Sequence, residues 1–340
     1  MKEQNNHRYK VAVIGGGTGL PVILKGLKKL DASISAIVTV ADDGGSSGTI
    51  RDYINIVPPG DIRNCICALS DADDLMIDLF QYRFQSDDEF LAGHAIGNLL
   101  ITALKEMQGS LLESLDILGQ YMKIQGQILP VASDPLVLHA LFEDGTKESG
   151  ESKIARHRKK IKEVTVTTTE GDPAIEASPR VVEAIMEADM VVLGPGSLYT
   201  SILPNLLVEE VKEAIVKTDA EVVYISNIMT QLGETEEFTD ADHVRVLHDH
   251  MQSHFIDTVL VNTTTVPQDY IENQPNEEYL LQVGRDFDGL RDQGCRVIYS
   301  EFLSMKNGGA YHDTKSVVDE LGYLLASVKT EAKNNKGSLK

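Results

Sequence analysis

Glycines at 15, 16, 17 and 19 follow the apolar run Val11 to Ile14 and precede Leu20 and Pro21. Beyond them Leu20, Ile23, Leu24, Leu27 and Leu30 keep helical spacing. The order is a buried strand, a tight turn and an amphipathic helix. A helix start behind a glycine turn offers free backbone N–H groups and the positive end of the helix dipole, which is chemistry for holding a phosphate. Gly16, Gly17, Thr18, Gly19 and Leu20 are therefore candidate ligand contacts. The dinucleotide pattern G-x-G-x-x-G fails at Leu20, and no Gly-Lys-Ser/Thr follows to make a P-loop.

Three further loops carry residues suited to the same ligand. After the second apolar run come Asp42, Asp43, Ser46 and Ser47 in a glycine-rich stretch that reads as a loop, with Arg51 within reach of a phosphate. Asp42 or Asp43 would meet a ribose or sugar hydroxyl, and Asp42, Asp43 and Asp61 could together offer oxygens to Mg²⁺. In Pro58-Pro-Gly-Asp-Ile-Arg-Asn64, Asp61 reads as a helix N-cap or a ligand contact. Arg63 and Asn64 follow it, and a cation near a helix start calls for an anion nearby. His94 and Asn98 lie in Gly93-His-Ala-Ile-Gly-Asn98. A second strand–glycine loop–helix unit holds Gly196, Ser197, Leu198 and Tyr199, and a later polar loop holds Asn227 and Thr230.

The elements that must position these loops alternate between strand and helix. Strands are expected near 10–14, 33–40, 189–193, 221–226, 257–262 and 294–299, with helices between them. This predicts an α/β fold with a doubly wound, mostly parallel, Rossmann-like sheet. Ligands of such sheets bind beyond the carboxyl ends of the strands, at the switch point. From 126 to 169 the texture changes to short strands, including Ile128–Val131, which suggests a small antiparallel insertion or cap. One nucleotide-binding domain over 8–329 is expected, with a helix from Lys315 to about Lys329 and a loose tail over 330–340.

Composition limits the partners. The net charge of −21 argues against nucleic acid. No apolar run is long enough to span a membrane, and the first residues show no apolar signal core, so a cytoplasmic protein without a membrane span is expected. Cys65, Cys67 and Cys295 fit neither a zinc ribbon nor a C-x-x-C redox pair and read as reduced thiols. His243, His248, His250 and His254 cluster without a recognised metal motif.

Six phrases, in order and over most of the chain, give a family resemblance: Gly15-Gly-Gly-Thr-Gly-Leu-Pro21, Val40-Ala-Asp-Asp-Gly-Gly-Ser-Ser-Gly48 with Arg51, Pro58 to Asn64, Gly93 to Asn98, Gly194-Pro-Gly-Ser-Leu-Tyr-Thr-Ser201, and Asn227-Ile-Met-Thr-Gln231 with Gly233-Glu-Thr235. The sequence resembles the gluconeogenesis factor (YvcK) family, relatives of 2-phospho-L-lactate transferase (CofD-like). The resemblance implies a nucleotide-type ligand at the switch-point crevice, a UDP-sugar such as UDP-N-acetylglucosamine for the closer relatives. It implies a role in cell shape, cell-wall synthesis and growth on gluconeogenic carbon, with no required cofactor and no firm catalytic activity. Cell-wall synthesis proteins and a second copy of the chain are the partners left open.

A Mg²⁺-dependent phospholactyl-type transferase acting on a deazaflavin is the alternative reading. An NAD-dependent dehydrogenase is the third, and NAD could also occupy the crevice as a mimic of the nucleotide sugar. One position departs from the family. Tyr311 stands before His312-Asp313 where the family often has arginine, so Arg285 or Arg296 would have to replace that contact.

Overall fold

The computed structural model describes residues 9–54, 56–85, 91–273, 279–306 and 308–337. Its centre is a seven-stranded sheet. β1 (Tyr9–Gly15), β2 (Ala32–Val38) and β3 (Gln127–Pro130) run outward to one side. On the other side of β1 come the strands Met190–Leu193, Glu221–Ile225, Thr258–Asn262 and Arg296–Ser300, in that order. All six ladders are parallel. The chain thus winds one way from β1 and then back from β1 the other way, so the switch point lies between β1 and Met190–Leu193.

Strands covered on both faces need unbroken apolar runs rather than alternation. Val11 to Ile14 and Met190 to Leu193 are such runs, and every residue in both is buried. Val13 pairs in register with Ala36 on one side and Val192 on the other. α1 (Gly19–Leu27) packs Leu20, Ile23, Leu24 and Leu27 inward. Each such side chain contributes about 1.5–3 kcal/mol by leaving water.

Between β2 and β3 the described residues make five helices, of which the first four are α2 (Gly45–Ile54), α3 (Pro59–Leu69), α4 (Asp74–Gln81) and α5 (Ile96–Gln108). Two expectations change here. Ser46, Ser47 and Arg51 lie on α2 rather than in a loop. Within it Gly48 must be glycine, because a Cβ there would strike the Asp43 carbonyl. Asp61 is not an N-cap: α3 begins two residues earlier, at Pro59 behind Pro58, because Pro is well tolerated in the first helical turn.

The insertion is also smaller than expected. Gln127–Pro130 is the edge strand of the main sheet, pairing with β2. The antiparallel part is three strands, Leu136–Phe142 in the centre with Lys147–Ser149 and Ile161–Thr168 beside it. Its apolar face, with Leu138, Phe142 and Val164, joins the main core cluster. The C-terminal helix starts at Thr314 and runs to Gly337, so most of the expected loose tail is helical, and 338–340 lie outside the described residues. No helix among the described residues is long and apolar enough to cross a membrane.

Candidate functional site

The two glycine loops meet at the switch point. A Cβ on Gly19 would collide with the Pro195 carbonyl, and Gly196 lies against the Gly16 carbonyl. Buried Asn205 ties the loops together, donating from Nδ2 to Gly15 O at 3.3 Å and to Ser201 O at 2.8 Å. Thr18 is the N-cap of α1, but its side chain makes no capping bond, and the first turn holds no acid. The start of α1 is thus open to an external anion. Thr18 is exposed, and Gly17, Gly19, Gly196 and Ser197 are partly so. Leu198 and Tyr199 are buried side chains that form the core beneath the second loop, leaving backbone groups for any contact with a ligand.

One donor of the first loop is already engaged. Asp61, reaching from α3, accepts the Gly17 N–H through Oδ2 at 2.6 Å. Burial, with the Asp42 charge adding to it, pushes the Asp61 carboxyl up to about 6 despite that bond. Asp42 accepts the Gly44 N–H at 2.8 Å, and burial raises its carboxyl as well. Arg51 reaches the Asp42 carbonyl at 3.4 Å. Ser47 accepts the Gly60 N–H at 3.1 Å, which joins α2 to the start of α3. Asp43 turns away from this group. Its Oδ1 accepts the Ser152 N–H at 2.8 Å, capping the insertion's helix Glu151–His157 from another loop.

A second group gathers around Arg63, which is 5% exposed. Its guanidinium donates to Asn98 Oδ1 at 3.0 Å and to Asn64 Oδ1 at 2.8 Å, and its Nε has no partner. Burial lowers its proton affinity, and the Arg83 charge adds to this. Asn98 in turn donates to Ser46 Oγ at 3.1 Å, and Ser46 shares a hydrogen bond with His94 Nδ1 at 2.9 Å. Residues read separately from three sequence phrases thus form one network. Among the described residues, the oxygens to which Arg63 donates are neutral amides, and the Asp61 carboxylate acts on its charge without a direct bond.

Asn227 and Thr230 stand apart from these groups. Asn227 is half-buried and lines a narrow cavity with Ser226, Asp240, Asn262 and Arg285. The Thr230 hydroxyl is used between strands, donating to Leu281 O at 3.2 Å. Arg285 donates to the carbonyl of Asn262, the last residue of its strand, and so sits at the carboxyl edge. Arg296 opens its strand and pairs with Glu221, which opens the strand beyond Thr258–Asn262. It therefore lies at the opposite edge of the sheet and cannot replace a crevice arginine. Tyr311 is 49% exposed on the hairpin Leu303–Lys306/Gly309–His312, while His312 shares a hydrogen bond with Ser226 O at 3.0 Å.

Sequence reasoning missed two acids. Glu151 comes from the insertion and Glu234 from the loop after Thr230. Burial and the charges of Asp42, Asp43, Glu234 and Asp61 push Glu151 up to about 8. Nothing in the local sequence of Glu151 signals this, since Asp43 brings it in from a distant segment. Among the described residues no three His, Cys, Asp or Glu side chains are placed to hold a metal ion together. Mg²⁺ commonly takes only one or two carboxylates plus phosphate oxygens, a demand that Asp42 and Asp61 fit better than Asp43. The histidines of helix Asp240–Met251 are engaged within the protein: His243 with Thr239 O, His248 with the Ile256 N–H, and His250 with Val246 O and the Val164 N–H.

Residues 11–303 match the family model described as 2-phospho-L-lactate transferase CofD. A relative from Streptococcus pyogenes serotype M3 is 53% identical over 320 residues, 94% of this chain and 98% of that protein. A protein of Listeria monocytogenes named Gluconeogenesis factor is 47% identical over 331 residues, 97% of this chain and 99% of its own length. The crystal structure of protein BH3568 from Bacillus halodurans superposes with a TM-score of 0.88 at 39% identity, covering 92% of this chain and 98% of that one.

Proposed function

From the premise that the chain belongs to the CofD family, we propose that its switch-point crevice binds a nucleotide sugar of the UDP-N-acetylglucosamine type. The chain then acts as a regulatory protein in the cytoplasm, supporting cell shape and cell-wall synthesis during growth on gluconeogenic carbon. The observation that carries the ligand reading is the buried Arg63 guanidinium, which meets only amide oxygens. A buried charge with no directly bonded counter-charge is costly, and a ligand phosphate would supply one at the unpartnered Nε. The uncapped start of α1 and the loop at Gly196 and Ser197 offer the backbone donors for a pyrophosphate. Asp42 is the acceptor for a sugar or ribose hydroxyl. No cofactor is required for this role.

The second reading is a Mg²⁺-dependent transferase of a phospholactyl-type group to a deazaflavin hydroxyl. Asp42 and Asp61 favour it, since they could share a metal ion with a phosphate. Mg²⁺ there would neutralise charge on the transferring group, while Arg63 and the glycine loops would orient it.

Calorimetry separates the readings. Titration with UDP-N-acetylglucosamine, NAD and a deazaflavin, each with and without Mg²⁺, is expected to give tight binding of the UDP-sugar alone and no turnover. Mg²⁺-dependent deazaflavin binding would replace the first reading with the second. Arg63→Ala and Asp42→Ala are each expected to weaken UDP-sugar binding by about 1 kcal/mol or more. Unchanged affinity in both variants would move the ligand out of this crevice.

A further inference from the structure

The antiparallel insertion has an outer face that the core does not use. Leu138 and Phe142 of its central strand point into the core cluster. Side chains alternate along a strand, so His139 points the other way, and it is half-buried. His139 pairs across the strands with Ser149 on one side and Thr165 on the other. Lys147 and Thr167 lie one row away on the same face. These five residues help to line an open groove of about 380 Å³, within the size range of small-molecule sites. None of them belongs to the switch-point crevice.

His139 joins two hydroxyls. Its Nδ1 lies 2.7 Å from Ser149 Oγ, and its Nε2 lies 2.9 Å from Thr167 Oγ1. Thr167 also donates to the Thr168 carbonyl at 2.9 Å. A carbonyl only accepts, so the single hydroxyl proton of Thr167 is spent there, and Oγ1 must accept the Nε2–H of the ring. In the neutral imidazole the other nitrogen then carries the lone pair. The Ser149 hydroxyl therefore donates to Nδ1. A hydroxyl held by a base, whose tautomer is fixed by a third group, is the arrangement of an activated nucleophile.

We propose that Ser149 is a nucleophile that takes an acyl group from a small activated donor, an ester or an acyl phosphate, with His139 as its base. Ser149 is exposed, so such a donor reaches it from the groove. Attack forms the bond from Oγ to the carbonyl carbon and moves the hydroxyl proton to Nδ1. The bond from that carbon to the leaving oxygen breaks, and the alcohol or phosphate departs with the proton. The Ser149 N–H is taken by Glu148 Oε1 at 3.0 Å, which leaves the Lys147 ammonium to meet negative charge on the acyl oxygen. Thr167 is a positioning residue, since it acts through the ring.

The test incubates the full chain with p-nitrophenyl acetate and, separately, with acetyl phosphate, and locates the acetyl group by peptide mass. Acetyl-Ser149 is expected in the wild-type chain with at least one of the two donors, and the donor that works names the class. Its formation is expected to slow about a hundredfold in His139→Ala, the usual scale for loss of a general base. Thr167→Val should slow it as well, and Thr167→Ser should restore the rate, which a merely structural contact would not require. Circular dichroism checks that each variant keeps the wild-type fold. Acetylation confined to lysines in the wild-type chain would overturn the proposal. So would equal rates at Ser149 in wild type and His139→Ala.

Discussion

Asp61 Oδ2 lies 2.6 Å from the backbone nitrogen of Gly17, so a carboxylate of this chain already holds one donor of the glycine turn built for an anion. The bond joins the loop after β1 to the first turn of α3 and sets the distance between them. It also places a negative charge where a phosphate would approach.

Asp61→Asn keeps an oxygen for the Gly17 N–H and removes that charge. The variant is expected to fold as wild type and to bind UDP-N-acetylglucosamine more tightly near neutral pH. The gain should be on the order of 1 kcal/mol or more, since a like charge at close range is worth about 1 kcal/mol in water and more in a protein. Calorimetry at one ionic strength measures it. A loss of affinity would instead make Asp61 a direct partner of the ligand.

Asn98 is 1% exposed and bridges Arg63 to Ser46. Asn98→Ala leaves the guanidinium with one fewer acceptor and is expected to cost about 1–3 kcal/mol of stability. Urea unfolding gives the stability, and a UDP-sugar titration should show weaker binding as well. A variant that unfolds like wild type would mean that water replaces the amide there.

Asp43 caps the Glu151–His157 helix through the Ser152 N–H. Asp43→Ala is expected to cost about 0.5–2 kcal/mol, as loss of a cap does. Amide exchange should quicken over 150–157 before it changes in the central strands. Uniform protection in the variant would contradict the assigned tie.

His243, His248 and His312 are each held down to about 4, chiefly by burial. In the unfolded chain they bind protons near 6.5. Stability is therefore fully present above about pH 6.5 and falls as pH drops through the window to 4. One such group contributes on the order of 3 kcal/mol over that range. His312→Gln removes one titrating ring, and unfolding midpoints between pH 7 and 5 should then depend less steeply on pH.

Several features were legible because they are local. β1, its glycine turn and α1 follow from an apolar run, four glycines and helical spacing within one short stretch. The α/β alternation gave the doubly wound sheet and put both glycine loops at its carboxyl edge. Other features were hidden because they depend on segments far apart. Asp43 accepts the Ser152 N–H, a tie between positions 109 residues apart that its own stretch does not show. Arg285 and Arg296 look equivalent in sequence, yet strand direction sends one to the carboxyl edge and the other to the amino edge.

By itself, the sequence determined the strands, the glycine turns and most of the residues that gather in the crevice. Backbone geometry and the burial of apolar runs act over a few residues, and so they are written locally. Only the tertiary structure decided which donors of the crevice stay open. It gave the Gly17 N–H to Asp61, committed Asp43 to the insertion and brought Glu151 in from outside. Hydrogen bonds and charge interactions pair groups by their distance in space, which chain order does not record.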